Sequence, residues 1–311
     1  MNLTQKLATE FNLSPTYAAN IVNLIEEGNT IPFIARYRKE MHGNCDDQVL
    51  REFSDRLTYL KNLEKRKDEI RKSISEQGKM TEELELAIAA AETMTEVEDL
   101  YRPYKQKKKT RATMAIAKGL EPLADRMEKQ EDRTGDIIEI ASAFVGEEKG
   151  VSTPEEALAG ARDIIAERIS DNAALRKKLR NIFLKTGEIS SKLIKEGEEA
   201  KTYVMYAEYS EPVCEVKSHR VLALNRGEDT GYLRVKVEID KAFAGRICAA
   251  SAVKEGSIFT EQVRAAAADS YDRLIAPSME REIRSYLTEQ ASEQAIKMFE
   301  VNLKPLLMQP P

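Results

Sequence analysis

A chain of 311 residues can bury a sizeable core, and its length favours two or more subdomains. Charged residues make up 32% of the chain and aromatic residues only 6%, without any Trp, a balance typical of an extended helical assembly with much solvated surface. The net charge of −5 excludes a protein that attracts nucleic acid over its whole surface, so any such role must be local.

The opening residues and the cysteines predict a cytoplasmic protein. The stretch MNLTQK lacks the apolar core of a signal peptide. No stretch approaches the roughly 18 uninterrupted apolar residues of a membrane span, so we expect no membrane partner. The cysteines are odd in number and far apart, which predicts reduced thiols at Cys45, Cys214 and Cys248.

Two short helices are predicted at the N-terminus. Apolar residues recur at helical spacing from Leu3 to Phe11. Ser14 followed by Pro15 is typical of the start of a second helix, which Gly28 would end. Such a pair predicts either a helix-turn-helix unit or two ordinary packed helices.

A single long helix is predicted over residues 46–77, which contain neither Gly nor Pro. Its apolar residues step by three and four, as Leu50, Phe53, Leu57 and Leu60 illustrate. At 1.5 Å per residue the helix would be about 48 Å long, which is typical of a spine or a coiled-coil-like strut.

Shorter helical blocks follow over residues 82–144. Thr153 and Pro154 then form a clear helix start, with Glu156 completing a capping box. We expect two helices over residues 155–169 and 172–185, with Gly187 as the stop.

The last third of the chain contains the one predicted β element. Apolar and charged residues alternate over 232–239, the period of a half-buried edge or hairpin strand, and residues 188–194 are a candidate partner. A short helix over 218–226 is expected to end at Gly227. Beyond Ser257 the pattern is helical, with a predicted break at Pro277.

The motifs of the common enzyme classes do not occur. The sequence has no Gly-rich phosphate-binding loop, no Gly-x-Ser-x-Gly and no His-Glu-x-x-His. His42 and His219 are the only histidines, and His42 with Cys45 does not make a tetrahedral metal site. We therefore expect no catalytic site, no cofactor and no metal.

The most distinctive local feature is a basic stretch over residues 102–111, with Tyr101 beside it, Tyr104 within it and no acidic residue. A basic loop with aromatic neighbours is suited to phosphate or polyanion contact. Alternatively, its cations neutralise the nearby Glu96, Glu98 and Asp99. The candidate nucleic-acid-binding residues of this stretch are Arg102, Lys105, Lys107, Lys108, Lys109 and Arg111.

A second, smaller basic patch contains Arg36, Arg38 and Lys39. The apolar residues 31–34 precede it and are expected to dock on the first helices. The cations would then pair with acids or with phosphate, so we add these three to the candidate nucleic-acid-binding residues.

Six collinear segments resemble the N-terminal half of the bacterial Tex family of transcription accessory proteins. Each is long and of unusual composition, so the resemblance is more specific than a short motif. One small departure is Cys45, where an aliphatic residue is expected. The segments are IPFIARYRKE (31–40), LEKRKDEI (63–70), EDLYRPYKQKKKTRA (98–112), SHRVLALNRGE (218–228), DRLIAPSMEREIR (272–284) and NLKPLLMQPP (302–311).

The resemblance implies a mainly α fold: an elongated multi-helical assembly with an N-terminal helix-turn-helix-like unit, one long helix and a small β element near 232–239. We divide the chain into 1–77, a helical domain over 78–200, and a helical linker region over 201–311. In the family an RNase H-like (YqgF-type) domain follows, then helix-hairpin-helix elements and a C-terminal OB-fold RNA-binding domain. The chain is therefore expected to be truncated before the RNase H-like domain.

The resemblance also implies a function. We expect a non-catalytic scaffold that contributes to association with nucleic acid, RNA or DNA, during transcription. The alternative is a protein–protein interaction scaffold that docks on RNA polymerase or other partners without binding nucleic acid itself.

Overall fold

The computed structural model describes residues 3–308 except 147, 149 and 196. The chain divides into two compact units, Met1–Tyr104 and Lys105–Pro311. Sixteen α-helices and one three-stranded sheet lie within the described residues, which confirms the predicted mainly α fold.

The first unit consists of helices alone within its described part. They are α1 (Leu3–Glu10), α2 (Pro15–Glu26), α3 (Ile31–Tyr37), α4 (Lys39–His42), α5 (Asp47–Glu76), α6 (Glu82–Ala90) and α7 (Met94–Tyr101), followed by a 3-10 turn over Arg102–Tyr104.

Helix α5 is the predicted long helix, and it organises the first core. Asp46 caps it by accepting a 2.8 Å hydrogen bond from the Val49 amide. Its buried stripe extends from Leu50 to Ile74, and α1, α2, α3, α6 and α7 pack against it. Because α6 and α7 rest on α5, residues 78–104 belong to the first compact unit, whereas the sequence-based division placed a boundary after residue 77. The three-part domain division stays a prediction.

The start of the chain has the predicted helix pair. Ser14 caps α2 by accepting a 3.2 Å hydrogen bond from the Tyr17 amide, and Pro15 occupies the first turn of the helix. Helices α1 and α2 pack against each other and against α5. A helix-turn-helix role for them stays a prediction.

The second unit combines helices with the sheet. Its helices are α8 (Arg111–Ala117), α9 (Glu121–Lys129), α10 (Ile137–Ser142), α11 (Pro154–Ser170), α12 (Ala173–Thr186), α13 (Ser218–Asp229), α14 (Lys241–Ala252), α15 (Thr260–Asp269) and α16 (Ala276–Leu307). Its strands are β1 (Glu188–Leu193), β2 (Glu208–Pro212) and β3 (Leu233–Glu238), with a 3-10 helix over Glu199–Tyr206.

Helix α11 is the centre of this second unit. The Glu156 amide donates to the Thr153 hydroxyl at 3.2 Å, as the sequence predicts, while the Glu156 carboxylate accepts from the Ser152 amide at 2.8 Å. Helices α8, α9, α10 and α15 pack around α11, and its buried residues run from Ala157 to Ser170.

The sheet confirms the predicted strand and its predicted partner. Both neighbours of β1 are antiparallel in the order β2-β1-β3, so β3 is an edge strand. Ile189 lies opposite Val237, and the alternate residues Leu233, Val235 and Val237 are buried. Strand β2 was not predicted, because its five residues EYSEP include a proline and two acids.

Two sequence-based helix ends are wrong. Helix α13 continues through Gly227, because this glycine gives space to Leu233: a Cβ added at Gly227 would lie 2.5 Å from Leu233 Cδ1.

Pro277 does not break the last helix. A π-helical turn over Ser270–Ile275 precedes it, with the Ala276 amide bonding to the Tyr271 carbonyl, and this wider turn accommodates a residue without an N–H.

Candidate functional site

The basic stretch begins on the first unit, where side chains fix the residues around Arg102. The Tyr101 hydroxyl lies 3.1 Å from the Ser73 hydroxyl, and Gln77 Nε2 donates to the Tyr104 carbonyl at 3.0 Å. Arg102 itself is half-buried in the 3-10 turn. This predicted site residue is therefore part of a packed turn.

Lys107 is held inside the second unit by two carboxylates, one in α11 and one at the C-cap of that helix. Its ammonium donates to Glu167 Oε1 at 2.9 Å and also to Asp171 Oδ2. Only 23% of the Lys107 side chain is exposed, against 17% for Glu167 and 9% for Asp171. Lys107 is thus an anchor of the loop, and its charge is already neutralised.

The far end of the loop is fixed by a capping box at the start of α8. The Thr113 amide donates to the Thr110 hydroxyl at 3.0 Å, and the Thr110 amide donates to the Thr113 hydroxyl at 2.8 Å. The chain between Lys107 and Thr110 is consequently held at both ends.

The other four predicted cations of the stretch are exposed, and we call them the loop cations: Lys105, Lys108, Lys109 and Arg111. Within the described part of the chain, the three lysines form no ion pair. Arg111 acts on Asp163 of α11: burial raises the pKa of that carboxyl, while Arg273 and Arg111 oppose the rise. The loop cations therefore present positive charge to solvent from an anchored backbone.

One of the acids expected to neutralise the stretch has another partner, since the Glu98 carboxylate pairs with Arg66 of α5 at 2.6 Å. The acids that neutralise Lys107 are Glu167 of α11 and Asp171 at its C-cap, 60 and 64 residues further along the chain. Asp163 and Glu167 of α11 and Asp171 at its C-cap recur every four residues, and that spacing was the signal in the sequence that could have identified the partner.

The second predicted patch lies at the end of α3 in the first unit. Ile34 is fully buried in a core that residues of α1, α2 and α5 share, and α3 packs on α5. Arg36, Arg38 and Lys39 are all exposed, as is Tyr37 between them. The patch belongs to the first compact unit and the loop cations to the second.

The described residues contain no group of three or more His, Cys, Asp or Glu side chains that could hold a metal ion. His42 is buried, with Nε2 placed 3.2 Å from the Ile34 carbonyl, and Cys45 Sγ donates to the His42 carbonyl at 2.9 Å. These side chains hold the turn after α4. No helix in the part of the chain that the structure describes is long and apolar enough to cross a membrane.

The fold and these surfaces define a class: a mainly helical protein in which exposed cations are gathered on local surfaces of an acidic chain. Comparison with known families specifies it further. Residues 1–75 match the Tex-like protein N-terminal domain, and residues 132–299, more than half of the chain, match the Tex central region-like family. The chain belongs to the Tex family.

Curated relatives match almost the whole chain. Protein YdcI of Bacillus subtilis is 45% identical over 99% of this chain, and the transcriptional accessory protein Tex of Neisseria gonorrhoeae is 34% identical over 100% of it. A human relative, S1 RNA-binding domain-containing protein 1, is 31% identical over 100% of the chain. The chain spans 43%, 42% and 32% of these three relatives respectively.

Proposed function

We propose that this chain is a non-catalytic scaffold of a transcription accessory protein, and that it contributes to association with RNA or DNA in the cytoplasm. The observation that carries the proposal is the set of loop cations, Lys105, Lys108, Lys109 and Arg111, exposed on a backbone that Lys107 and Thr110 anchor. An anchored backbone loses little conformational entropy when its cations meet phosphate, so this loop favours binding more than a mobile basic tail would.

The names of two relatives support the proposal. One is called a transcriptional accessory protein, and the human relative is named for an S1 RNA-binding domain. Both names describe proteins longer than this chain, so the activity of the whole relative is carried over here only as part of the proposal.

A second candidate function is a docking scaffold for a protein such as RNA polymerase, and one observation favours it. The buried side of α16 ends at Ala291, and the following turns expose large apolar side chains. Exposed apolar surface of this kind is typical of protein interfaces. The exposed side chains are Ile296, Met298, Phe299, Val301, Leu307 and Met308.

The test is a fluorescence-anisotropy titration of the chain against labelled single- and double-stranded RNA and DNA at low salt. We expect binding by the wild type, and a loss of at least tenfold in affinity when the four loop cations are replaced by alanine. The matched control replaces four exposed cations elsewhere in the second unit, namely Arg133, Lys178, Lys185 and Lys192. Equal losses in both variants, or no binding by the wild type, would favour the docking scaffold.

A further inference from the structure

We propose that Tyr37 stacks on an unpaired base, and that the end of α3 is a binding site for single-stranded nucleic acid. The inference rests on the proposed association with nucleic acid, but its residues belong to the first compact unit, whereas the loop cations belong to the second.

Tyr37 offers a free aromatic face. Its side chain is 64% exposed, which makes it the most exposed tyrosine among the described residues. The Phe33 ring lies one helical turn earlier, with a centroid distance of 5.3 Å and an angle of 43° between the two rings. Phe33 therefore supports one side of Tyr37 and leaves the rest of the ring to solvent.

Phe33 also positions a cation beside that ring. The Arg38 guanidinium carbon lies 5.5 Å from the Phe33 centroid, within the range of a cation–π contact. One phenyl ring thus holds both a tyrosine and an arginine on the same surface. An aromatic face beside a guanidinium is the combination that binds a base together with its phosphate.

The charge around Tyr37 complements phosphate. Arg36 and Lys39 are exposed and form no ion pair with any residue that the structure describes. Within residues 31–40 the only acid is Glu40. Three exposed cations thus lie within two positions of Tyr37 along the chain, and each neutralised phosphate would release counterions and favour binding.

The backbone beneath the patch is fixed. Ile34 anchors α3 through a side chain with no exposed surface. Asn20 of α2 donates a 3.1 Å hydrogen bond to the Met41 carbonyl, which ties α4 to α2. The buried His42 ring lies 3.2 Å from the Ile34 carbonyl and links α4 to α3. A base would therefore meet a preformed surface.

The aromatic contact selects single strands. In a duplex each base face is covered by its neighbours, so an exposed tyrosine finds a partner only where bases are unpaired. Cations alone do not make this distinction, because phosphates line both single strands and duplexes. The ligand class is therefore single-stranded nucleic acid, with RNA and DNA as separate arms of the test.

The test compares Tyr37→Leu, which keeps an apolar side chain without a π face, with Tyr37→Phe, which keeps the ring. Anisotropy titrations use single-stranded RNA, single-stranded DNA, a single strand of abasic nucleotides and duplex DNA. We expect Tyr37→Leu to weaken single-strand binding by about 5- to 100-fold while Tyr37→Phe stays near the wild type. Duplex and abasic binding should be the same in all three proteins. Tyr286→Leu, at a tyrosine 47% exposed on α16, is the matched control and should have no effect.

The outcomes separate this inference from the proposed function. If Tyr37→Leu binds single strands as tightly as the wild type while the loop-cation variant does not, base stacking at Tyr37 is wrong and the proposed function stands. Equal weakening on single strands, abasic strands and duplex would also overturn stacking. If the wild type binds no nucleic acid at low salt, both proposals fail together.

Discussion

The Lys107 ammonium donates a 2.9 Å hydrogen bond to the Glu167 carboxylate, and this contact ties the basic loop to the central helix of the second unit. Asp171, the C-cap of α11, accepts from the same ammonium. Both carboxylates are largely buried, so the Lys107 ammonium is needed to compensate their negative charges. Lys107 therefore contributes to the stability of the fold.

Replacing Lys107 with alanine should therefore cost stability. We expect Lys107→Ala to lower the free energy of unfolding by about 1–3 kcal/mol, because two buried carboxylates lose their shared cation. Lys108→Ala, at the exposed neighbouring position, should change it by less than about 0.5 kcal/mol. Urea unfolding of both variants measures the difference. Equal stabilities would contradict the anchoring role of Lys107.

Gly227 provides a second pair of matched substitutions. A Cβ at this position would lie 2.5 Å from Leu233 Cδ1 and 3.0 Å from Tyr203 Cδ1, so Gly227→Ala should destabilise the second unit by about 1–3 kcal/mol. Gly245 is also inside a helix, but nothing lies within 4 Å of a Cβ added there. Gly245→Ala should stabilise the second unit by about 0.4–1 kcal/mol, because alanine has a higher helix propensity than glycine. Thermal melts of the two variants should shift in opposite directions; shifts of the same sign would refute the packing argument.

The ion pair between Glu10 and Arg56 should make the stability of the first unit depend on pH. The pair is bidentate, at 2.7 and 2.8 Å, and the hydrogen bond from Arg56 lowers the pKa of the Glu10 carboxyl below its ordinary value. A carboxyl whose pKa is lower in the folded than in the unfolded state stabilises the fold at pH values above its unfolded pKa of about 4.3. This stabilisation is lost as the pH falls through the lower folded-state pKa.

Glu10→Gln should consequently reduce stability near neutral pH, and the difference from the wild type should vanish in acid. Both side chains are about a third exposed, so screening keeps the effect at or below about 1 kcal/mol. Urea midpoints at neutral pH and at about pH 3 measure it. Asp55→Asn, at an exposed carboxylate with no ion pair in the described part of the chain, is the control. A deficit of Glu10→Gln that persists undiminished in acid would exclude the ion pair as its cause.

The cysteines should differ in reactivity. Burial raises the pKa of the Cys248 thiol to about 11, whereas Cys214 is exposed. At about pH 8 only about one Cys248 thiol in a thousand would be ionised, so alkylation of the native protein should modify Cys214 and leave Cys248 intact. Mass spectrometry of tryptic peptides measures both sites, with urea-unfolded protein as the control. Equal modification in the native state would show that the helix packing around Cys248 opens readily.

The elements that the sequence predicted well are those whose signals are local. Each of these signals belongs to one element: the Asp46 cap and the stripe from Leu50 to Ile74 to α5, and the alternation to β3. The periods of the stripe and of the alternation follow from helix and strand geometry. The partner strand β1 was also predicted, because Gly187 ends α12 just before it.

The features that were missed depend on contacts between distant residues. A glycine that ends a helix and one that admits a neighbouring side chain look the same locally, so Gly227 was given the wrong role. The sequence predicts a break at Pro277, because apolar spacing does not reveal the π-helical turn that accommodates this proline. At the candidate site the sequence identified the cations, but not which one is neutralised, because the acids that bind Lys107 are 60 and 64 positions away.

The central claim is that the loop cations contact phosphate, and the salt dependence of binding to single-stranded RNA tests it most directly. Each phosphate neutralised on a single strand contributes about 0.7 to the slope of log affinity against log salt. Replacing all four loop cations with alanine should therefore make that slope less steep by about 3, while the control at Arg133, Lys178, Lys185 and Lys192 leaves it unchanged. A loop-cation variant with the same slope and affinity as the wild type would contradict the claim.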